Sequence, residues 1–185
     1  MAVITVFNQK GGVGKTTTSL NLGAALALAG CPPLLIDLDP QAHLTLITGS
    51  AVDSSEESIF SFYLKTRPLS ELIRPAGNIG HIIPSHLDLA KTDTLFGKSY
   101  NVVTRLATGL GAETMRQNSA PIVIDCCPML GVLSLVVGVR VVRWVRRRRE
   151  RFIHSVLRNY AGLQEAGSFE DLANQRDHAW SLRRG

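Results

Sequence analysis

Residues 11–17 read Gly-Gly-Val-Gly-Lys-Thr-Thr and stand between a β-branched apolar run and an Ala/Leu-rich stretch. That pattern suits the holding of phosphate groups. Glycines let consecutive backbone N–H groups converge and let the chain approach a ligand closely. A helix N-terminus directly beyond adds a dipole that favours an anion. Within such a loop Lys15 would neutralise β- and γ-phosphate charge, and the Thr16 hydroxyl would ligate Mg²⁺. Gly11, Gly12, Val13, Gly14 and Thr17 complete the binding stretch, with Lys10 just ahead of it. The general GxxxxGK[ST] pattern expects a glycine where this chain has Gln9, while Gly14-Lys15-Thr16 fits. A solvent-exposed glycine turn before a helix is the other reading of these residues.

Acidic residues at a strand end join the loop as candidates. Leu34-Leu35-Ile36-Asp37-Leu38-Asp39-Pro40 is an apolar run that closes on two carboxylates. In open α/β sheets, ligands bind at the C-terminal ends of parallel strands. Asp37 and Asp39 are therefore candidates to orient an attacking water or to hold Mg²⁺ through water. Sequence does not divide those roles between them. The alternative is a solvated Asp-Pro turn.

The elements that must position these groups follow from periodicity and turn signals. Strands are expected at residues 2–7, 33–38, 79–83 and 121–124, the third stopping at Pro84. A helix is expected over 17–29 with Gly30 closing it. Ser54 or Ser55 is placed to cap a helix through Ile59, Phe60 and Leu64. Another is expected over 100–115, interrupted by Gly109 and Gly111. Strand–helix alternation at this spacing predicts an α/β fold, a mostly parallel sheet with helices on both faces. With 185 residues, 45% of them hydrophobic, the chain is neither a disordered tail nor a disulfide miniprotein. Cys31, Cys126 and Cys127 show no zinc-site spacing, so a reducing setting is the expectation. The first ten residues lack a signal-peptide pattern, and the apolar run 129–139 is too short to span a bilayer.

Asn8-Gln9-Lys10-Gly11-Gly12-Val13-Gly14-Lys15-Thr16-Thr17 resembles the deviant Walker A motif of the ParA/MinD family of partition and positioning ATPases. The Asn-Gln pair points to the ParA branch. The stretch from Leu34 to Gln41 resembles that family's second motif, and Ala42-His43-Leu44-Thr45 continues it. Ile122-Val123-Ile124-Asp125 resembles a Walker B strand, although Cys127 stands where the family has the first Pro of a pair. Ile83-Pro84-Ser85-His86-Leu87-Asp88-Leu89-Ala90 also resembles a family segment, read as packing and loop geometry, with His81 and His86 as surface or capping residues.

The resemblance implies a P-loop NTPase with ATP and Mg²⁺ as cofactors. Catalytic roles would fall to Lys10, Lys15, Asp37 and Asp39, and metal contacts to Thr16, Asp39 and Asp125. Lys10 would be the signature lysine that reaches the partner's nucleotide in an ATP-sandwiched homodimer. The implied partners are non-specific DNA and a centromere-binding partition protein, in a cytoplasmic, nucleoid-associated setting. A membrane partner is not expected.

The likeness covers residues 2–134. The expected organisation is thus a C-terminally incomplete P-loop ATPase domain, 1–134, and an arginine-rich tail, 135–185, without family resemblance. Charge divides the same way. Residues 1–134 hold nine basic side chains against ten acids, net −1, whereas 135–185 hold eleven Arg against five acids, net +6. In the tail, Val141, Val145, Phe152 and Val156 recur at roughly helical spacing among arginines. Three readings stay open there: a basic amphipathic helix for DNA phosphates or an anionic membrane, a solvated arginine face, or the product of a shifted frame or truncated gene. The functional readings that follow are a DNA-segregation ATPase, a nucleotide-binding fragment without turnover, and a basic DNA- or membrane-binding protein led by its tail.

Overall fold

Strands β1 (Val3–Val6), β2 (Leu34–Leu38), β3 (Arg74–Ala76), β4 (Gly80–Ile83) and β5 (Ile122–Cys126) share one sheet in the spatial order β1-β5-β2-β4-β3. The computed structural model describes residues 3–8, 10–96, 100–112 and 120–127, all within the unit Met1–Trp144. Gln9, the apolar run 129–139 and the whole tail 135–185, with all three of its readings, lie outside the described residues. Neighbouring strands are parallel except β3 and β4. Every residue of β2 and β5 is buried, which is why both read as unbroken apolar runs rather than alternating ones. Strand β3 has no counterpart among the expectations. Its three residues include Pro75, which cannot donate to a ladder and is tolerated only where one side of the strand is unpaired.

The helices are α1 (Lys15–Leu28), α2 (His43–Ile47), α3 (Ile59–Leu64), α4 (Thr92–Phe96) and α5 (Tyr100–Leu110). Helix α1 starts at Lys15, two residues before its expected start. The single helix expected after Ser54 or Ser55 is in fact two elements. Ser54 caps a short 3-10 turn, Ser55–Glu57, and Ser58 then turns extended and caps α3 by accepting from Phe60 N–H. The Ser58 hydroxyl also donates to the Ser55 carbonyl at 2.8 Å, a side-chain bond that competes with helix continuation. Helix α5 ends at Leu110, and residues 113–115 of the expected span lie outside the described residues. Gly109 does not interrupt it.

Pleat parity sorts the core. Leu35, Ile82 and Val123 face one side, where Leu44, Leu20 and Leu26 of α1 and α2 pack on them. Ile36, Ile83, Ile124 and Cys126 face the other. There Tyr63 of α3 lies near enough to Cys126 for the two to act on each other electrostatically. Helices thus cover both faces, and each buried Leu or Ile contributes about 2 kcal/mol of transfer free energy.

Candidate functional site

Register brings the ends of β1, β5 and β2 into one row: Val6 pairs with Asp125, and Asp125 with Asp37. The connection from β1 to α1 leaves from this row. Asn8 Oδ1 accepts the Lys10 N–H at 3.0 Å, which starts the turn. Gly12 and Gly14 then take φ of 68° and 82°, a left-handed backbone that an L side chain adopts only with strain. A Cβ at Gly11, Gly12 or Gly14 would meet nothing within 4 Å, so space beside the loop is open. Gly14 gives α1 no side-chain cap, and the helix's first N–H groups have no acceptor within the helix. An anion beside the loop would supply one. Lys15 Nζ meanwhile donates to the Lys10 carbonyl at 3.2 Å, its ammonium folded back on its own loop. Lys10, Val13 and Thr17 are exposed, and Lys15 and Thr16 are half-buried.

Asp125 is buried below this loop. The Ser19 hydroxyl of α1 donates to its Oδ1 at 2.9 Å, and Thr16 also hydrogen-bonds its side chain. Burial pushes the Asp125 carboxyl above the usual range, and the Thr16 and Ser19 bonds work against that rise. Asp39 pushes it further up and Lys15 pulls it down. Thr16 and Asp125 form an all-oxygen donor pair beside the open loop, which suits a hard cation such as Mg²⁺. No cluster of three or more His, Cys, Asp or Glu able to hold a metal occurs among the described residues. A cation held at Thr16 and Asp125 therefore needs further oxygens, of the kind a bound phosphate brings.

The two carboxylates at the end of β2 differ. Asp39 is half-buried, and its Oδ1 accepts the Gln41 N–H at 2.9 Å. Asp37 is fully buried. Its Oδ1 takes the Asp39 N–H at 3.0 Å, and its Oδ2 takes the Thr45 N–H at 2.9 Å and the Thr45 hydroxyl at 2.8 Å. Burial raises its pKa to about 7, with the Thr45 and Asp39 bonds opposing the rise. Cys126, directly after Asp125, has its thiol pushed well up, again chiefly by burial. Cys31 is exposed, and Cys126 and Cys127 are buried.

The structure therefore gathers Lys15, Thr16, Asp125 and Asp39 around the loop, with Lys10 exposed at its start, and turns Asp37 inward. His81 is exposed on β4, and His86 Nδ1 accepts the Asp88 N–H at 3.1 Å to cap the 3-10 turn Leu87–Lys91. Sequence reasoning did not single out Ser19 or Thr45. Ser19 follows Lys15 by four residues, one helical turn on, a spacing that shares a helix face and was there to be read. Thr45 stood in the stretch that continues the second motif, but nothing in its spacing pointed to Asp37 or Ser85 as partners.

A mostly parallel sheet with a strand–glycine loop–helix connection, a loop lysine and threonine, and an acidic neighbouring strand end defines a P-loop NTPase. Residues 1–139 match the AAA_31 family model, described as an AAA domain, and the chain belongs to this ParA/MinD-type family. It is 36% identical over 135 residues to the sporulation initiation inhibitor protein Soj of Bacillus subtilis, covering 72% of this chain and 52% of Soj. To the chromosome partitioning protein ParA of Myxococcus xanthus it is 37% identical over 134 residues, covering 72% and 47%. Cobyrinic acid a,c-diamide synthase from Mycobacterium smegmatis, with bound ATP analog and magnesium, superposes with a TM-score of 0.71 at 29% identity, over 90% of this chain and 69% of that one. A putative plasmid partition protein from Borrelia burgdorferi B31 bound to AMPPNP gives 0.65 at 28%, over 73% and 56%. The chain spans about half the length of the curated relatives it matches. Among the described residues, no helix is long and apolar enough to cross a membrane.

Proposed function

We propose that this chain binds Mg-ATP on residues 10–17 and acts as a ParA-type ATPase in DNA segregation. The observation that carries the reading is the open glycine loop with Lys15 and the Thr16–Asp125 pair at its base. Lys15 would exchange the Lys10 carbonyl for β/γ-phosphate oxygens, a stronger partner because both groups are charged. Loop N–H groups and the start of α1 would take up charge that develops on the transferring phosphoryl group. Mg²⁺, when bound, would neutralise β/γ-phosphate charge, with Thr16 as ligand and Asp125 and Asp39 as outer partners. Asp39, half-buried at the strand end, is the group we assign to orient the attacking water.

Lys10, exposed at the start of the loop, is free to reach outward. In this reading it adds its charge to the nucleotide of a second copy, so ATP drives dimerisation in a cytoplasmic setting. The dimer would then bind DNA phosphates without sequence preference, and a centromere-binding partner would stimulate hydrolysis. Light scattering with a non-hydrolysable ATP analogue, beside Mg-ATP turnover with and without duplex DNA, tests this. The parent should dimerise with the analogue and turn over faster with DNA. Lys10→Ala should keep nucleotide affinity and lose dimerisation. Absence of nucleotide binding by the parent sinks the reading, whereas binding without turnover reduces the chain to a nucleotide-binding module.

A further inference from the structure

Two carboxylates, Asp37 and Asp39, end the same strand and are indistinguishable by sequence. We infer that they do different jobs: Asp37 is a positioning residue that closes the β2–α2 turn from both ends and so fixes Asp39, and Thr45 is the residue that holds Asp37 in place. The inference rests on the ATPase reading for its consequence in turnover. The clamp itself stands on geometry.

Asp37 is fully buried, and both its oxygens are occupied by three donors. One, the Asp39 N–H, belongs to the residue that enters the turn. The other two, the N–H and hydroxyl of Thr45, belong to the first turn of α2. Between these anchors the chain makes a tight reversal, with Gln41 N–H on Asp39 Oδ1 at 2.9 Å and Ala42 N–H on the Asp39 carbonyl at 2.8 Å. Ala42 sits at φ 53°, a left-handed backbone unfavourable for a residue with a side chain. Such a conformation persists when its surroundings over-determine it, and the Asp37 carboxylate provides that restraint on both sides.

Thr45 extends the clamp across the sheet. Its hydroxyl donates to Asp37 and accepts the Ser85 N–H at 2.9 Å, from the segment just after β4. One side chain therefore ties the ends of β2 and β4 to the start of α2. Asp37 is fully buried and three of its roughly four acceptor sites are taken, so a water reaches the remaining one only if the turn opens. Asp39 is half-buried, and its position is set by that turn. The division of labour follows: Asp39 faces the chemistry and Asp37 sets where it stands.

Four variants test this. Thr45→Val keeps the side chain's shape and removes the hydroxyl that serves both Asp37 and Ser85, while Thr45→Ser retains it. Asp37→Asn replaces an acceptor with an N–H donor, so one of the donors at the turn loses its partner. Asp39→Asn leaves the clamp intact. The first readout is hydrogen exchange of nucleotide-free protein over residues 38–46, and the second is kcat against Mg-ATP affinity. Exchange should quicken about tenfold or more in Thr45→Val and Asp37→Asn, as loss of a hydrogen bond to a charged group implies. In those two variants kcat should fall about tenfold while the Kd for Mg-ATP stays within about threefold. Thr45→Ser should match the parent in both readouts. Asp39→Asn should lose turnover with its turn still protected.

Unchanged exchange in Thr45→Val overturns the inference. So does lost turnover in Asp37→Asn with the turn still protected, because Asp37 would then act directly on the reacting groups. Should Asp37→Asn fail to fold, the Thr45→Val and Thr45→Ser pair carries the test. A parent that turns over no ATP counts against the ATPase reading alone, and exchange then decides the clamp.

Discussion

The phosphate loop and the end of β2 both lie at the C-terminal ends of the parallel strands, yet their polar groups are used in opposite ways. In the loop, three glycines border open space, the first N–H groups of α1 lack a helical acceptor, and Lys15 rests on a carbonyl of its own loop. At the end of β2, the Asp37 carboxylate is buried and filled by three donors, and its principal partner Thr45 is itself bonded to Ser85. The first region leaves its donors open to solvent or to an anion. The second is complete without any ligand. Neighbouring charged groups in one site can therefore serve binding and architecture separately, and perturbing each should show up in a different measurement.

The largest expected effect falls on the loop. Lys15→Ala should weaken Mg-ATP binding about a thousandfold, the scale for removing one partner of a close charge pair. The melting temperature of the nucleotide-free protein should move little, because Lys15 hydrogen-bonds its own loop there and its attraction to Asp125 is the smallest of the influences on that carboxyl. Calorimetric titration beside a thermal melt checks both halves. Similar Mg-ATP affinity in variant and parent would break the comparison at its first term.

Asp37→Ala should show the reverse pattern. It strips the acceptor from three donors in a buried turn, at a cost of about 3 kcal/mol in folding free energy. Urea unfolding without nucleotide measures it. If Asp37→Ala unfolds like the parent and loses only nucleotide affinity, the β2 end belongs functionally with the loop and the contrast disappears.

Much of this was open to sequence reasoning wherever the determinant was local. The phosphate loop, α1 and the buried strands β2 and β5 each depend on consecutive residues, and their chemistry survives reading in one dimension. Asp37 and Asp39 could not be told apart, because what separates them lies eight and more residues away, in Thr45 and Ser85. The break at Ser58 was hidden because both Ser54 and Ser58 are good cap residues, and their backbones decide which elements they start. Strand β3 is three residues long and carries Pro75, so no alternation was there to detect.

Glycines sharpen the contrast at the next level of effect. Those of the loop border open space, whereas a Cβ at Gly109 of α5 would come within 2.7 Å of Phe62 Cζ and 2.9 Å of Leu69 Cδ1. The Phe62 ring has little freedom to move aside. Arg105 lies over it at 5.0 Å and donates to the Phe62 carbonyl at 2.8 Å. Gly109→Ala should therefore lose about 1–2 kcal/mol, overpacking outweighing the roughly 1 kcal/mol that alanine gains in a helix. Denaturant unfolding with unchanged m-value tests the figure. A stabilised Gly109→Ala would show that the contact between α3 and α5 yields.

The smallest effect belongs to a residue that sits on the border between the two regions. Ser19 lies in α1, the helix the loop leads into, but it is fully buried and shares its hydroxyl between Asp125 at 2.9 Å and the Lys15 carbonyl at 3.2 Å. Ser19→Ala removes one of the two side-chain hydroxyls on that carboxylate and leaves Thr16 in place. Losing the bond costs about 1 kcal/mol, and alanine's better helix propensity returns roughly half of it. Net stability should hence fall by only about 0.5 kcal/mol, close to the limit of an unfolding experiment. The consequence for Mg²⁺ is more telling, since Asp125 would be free to rotate away from Thr16. The Mg²⁺ concentration needed for half-maximal nucleotide binding should rise about threefold, with affinity at saturating Mg²⁺ unchanged. Titrating Mg²⁺ at fixed nucleotide measures this. An unchanged Mg²⁺ requirement would place Ser19 wholly with the architecture, and a loss as large as that of Lys15→Ala would place it wholly with the binding loop.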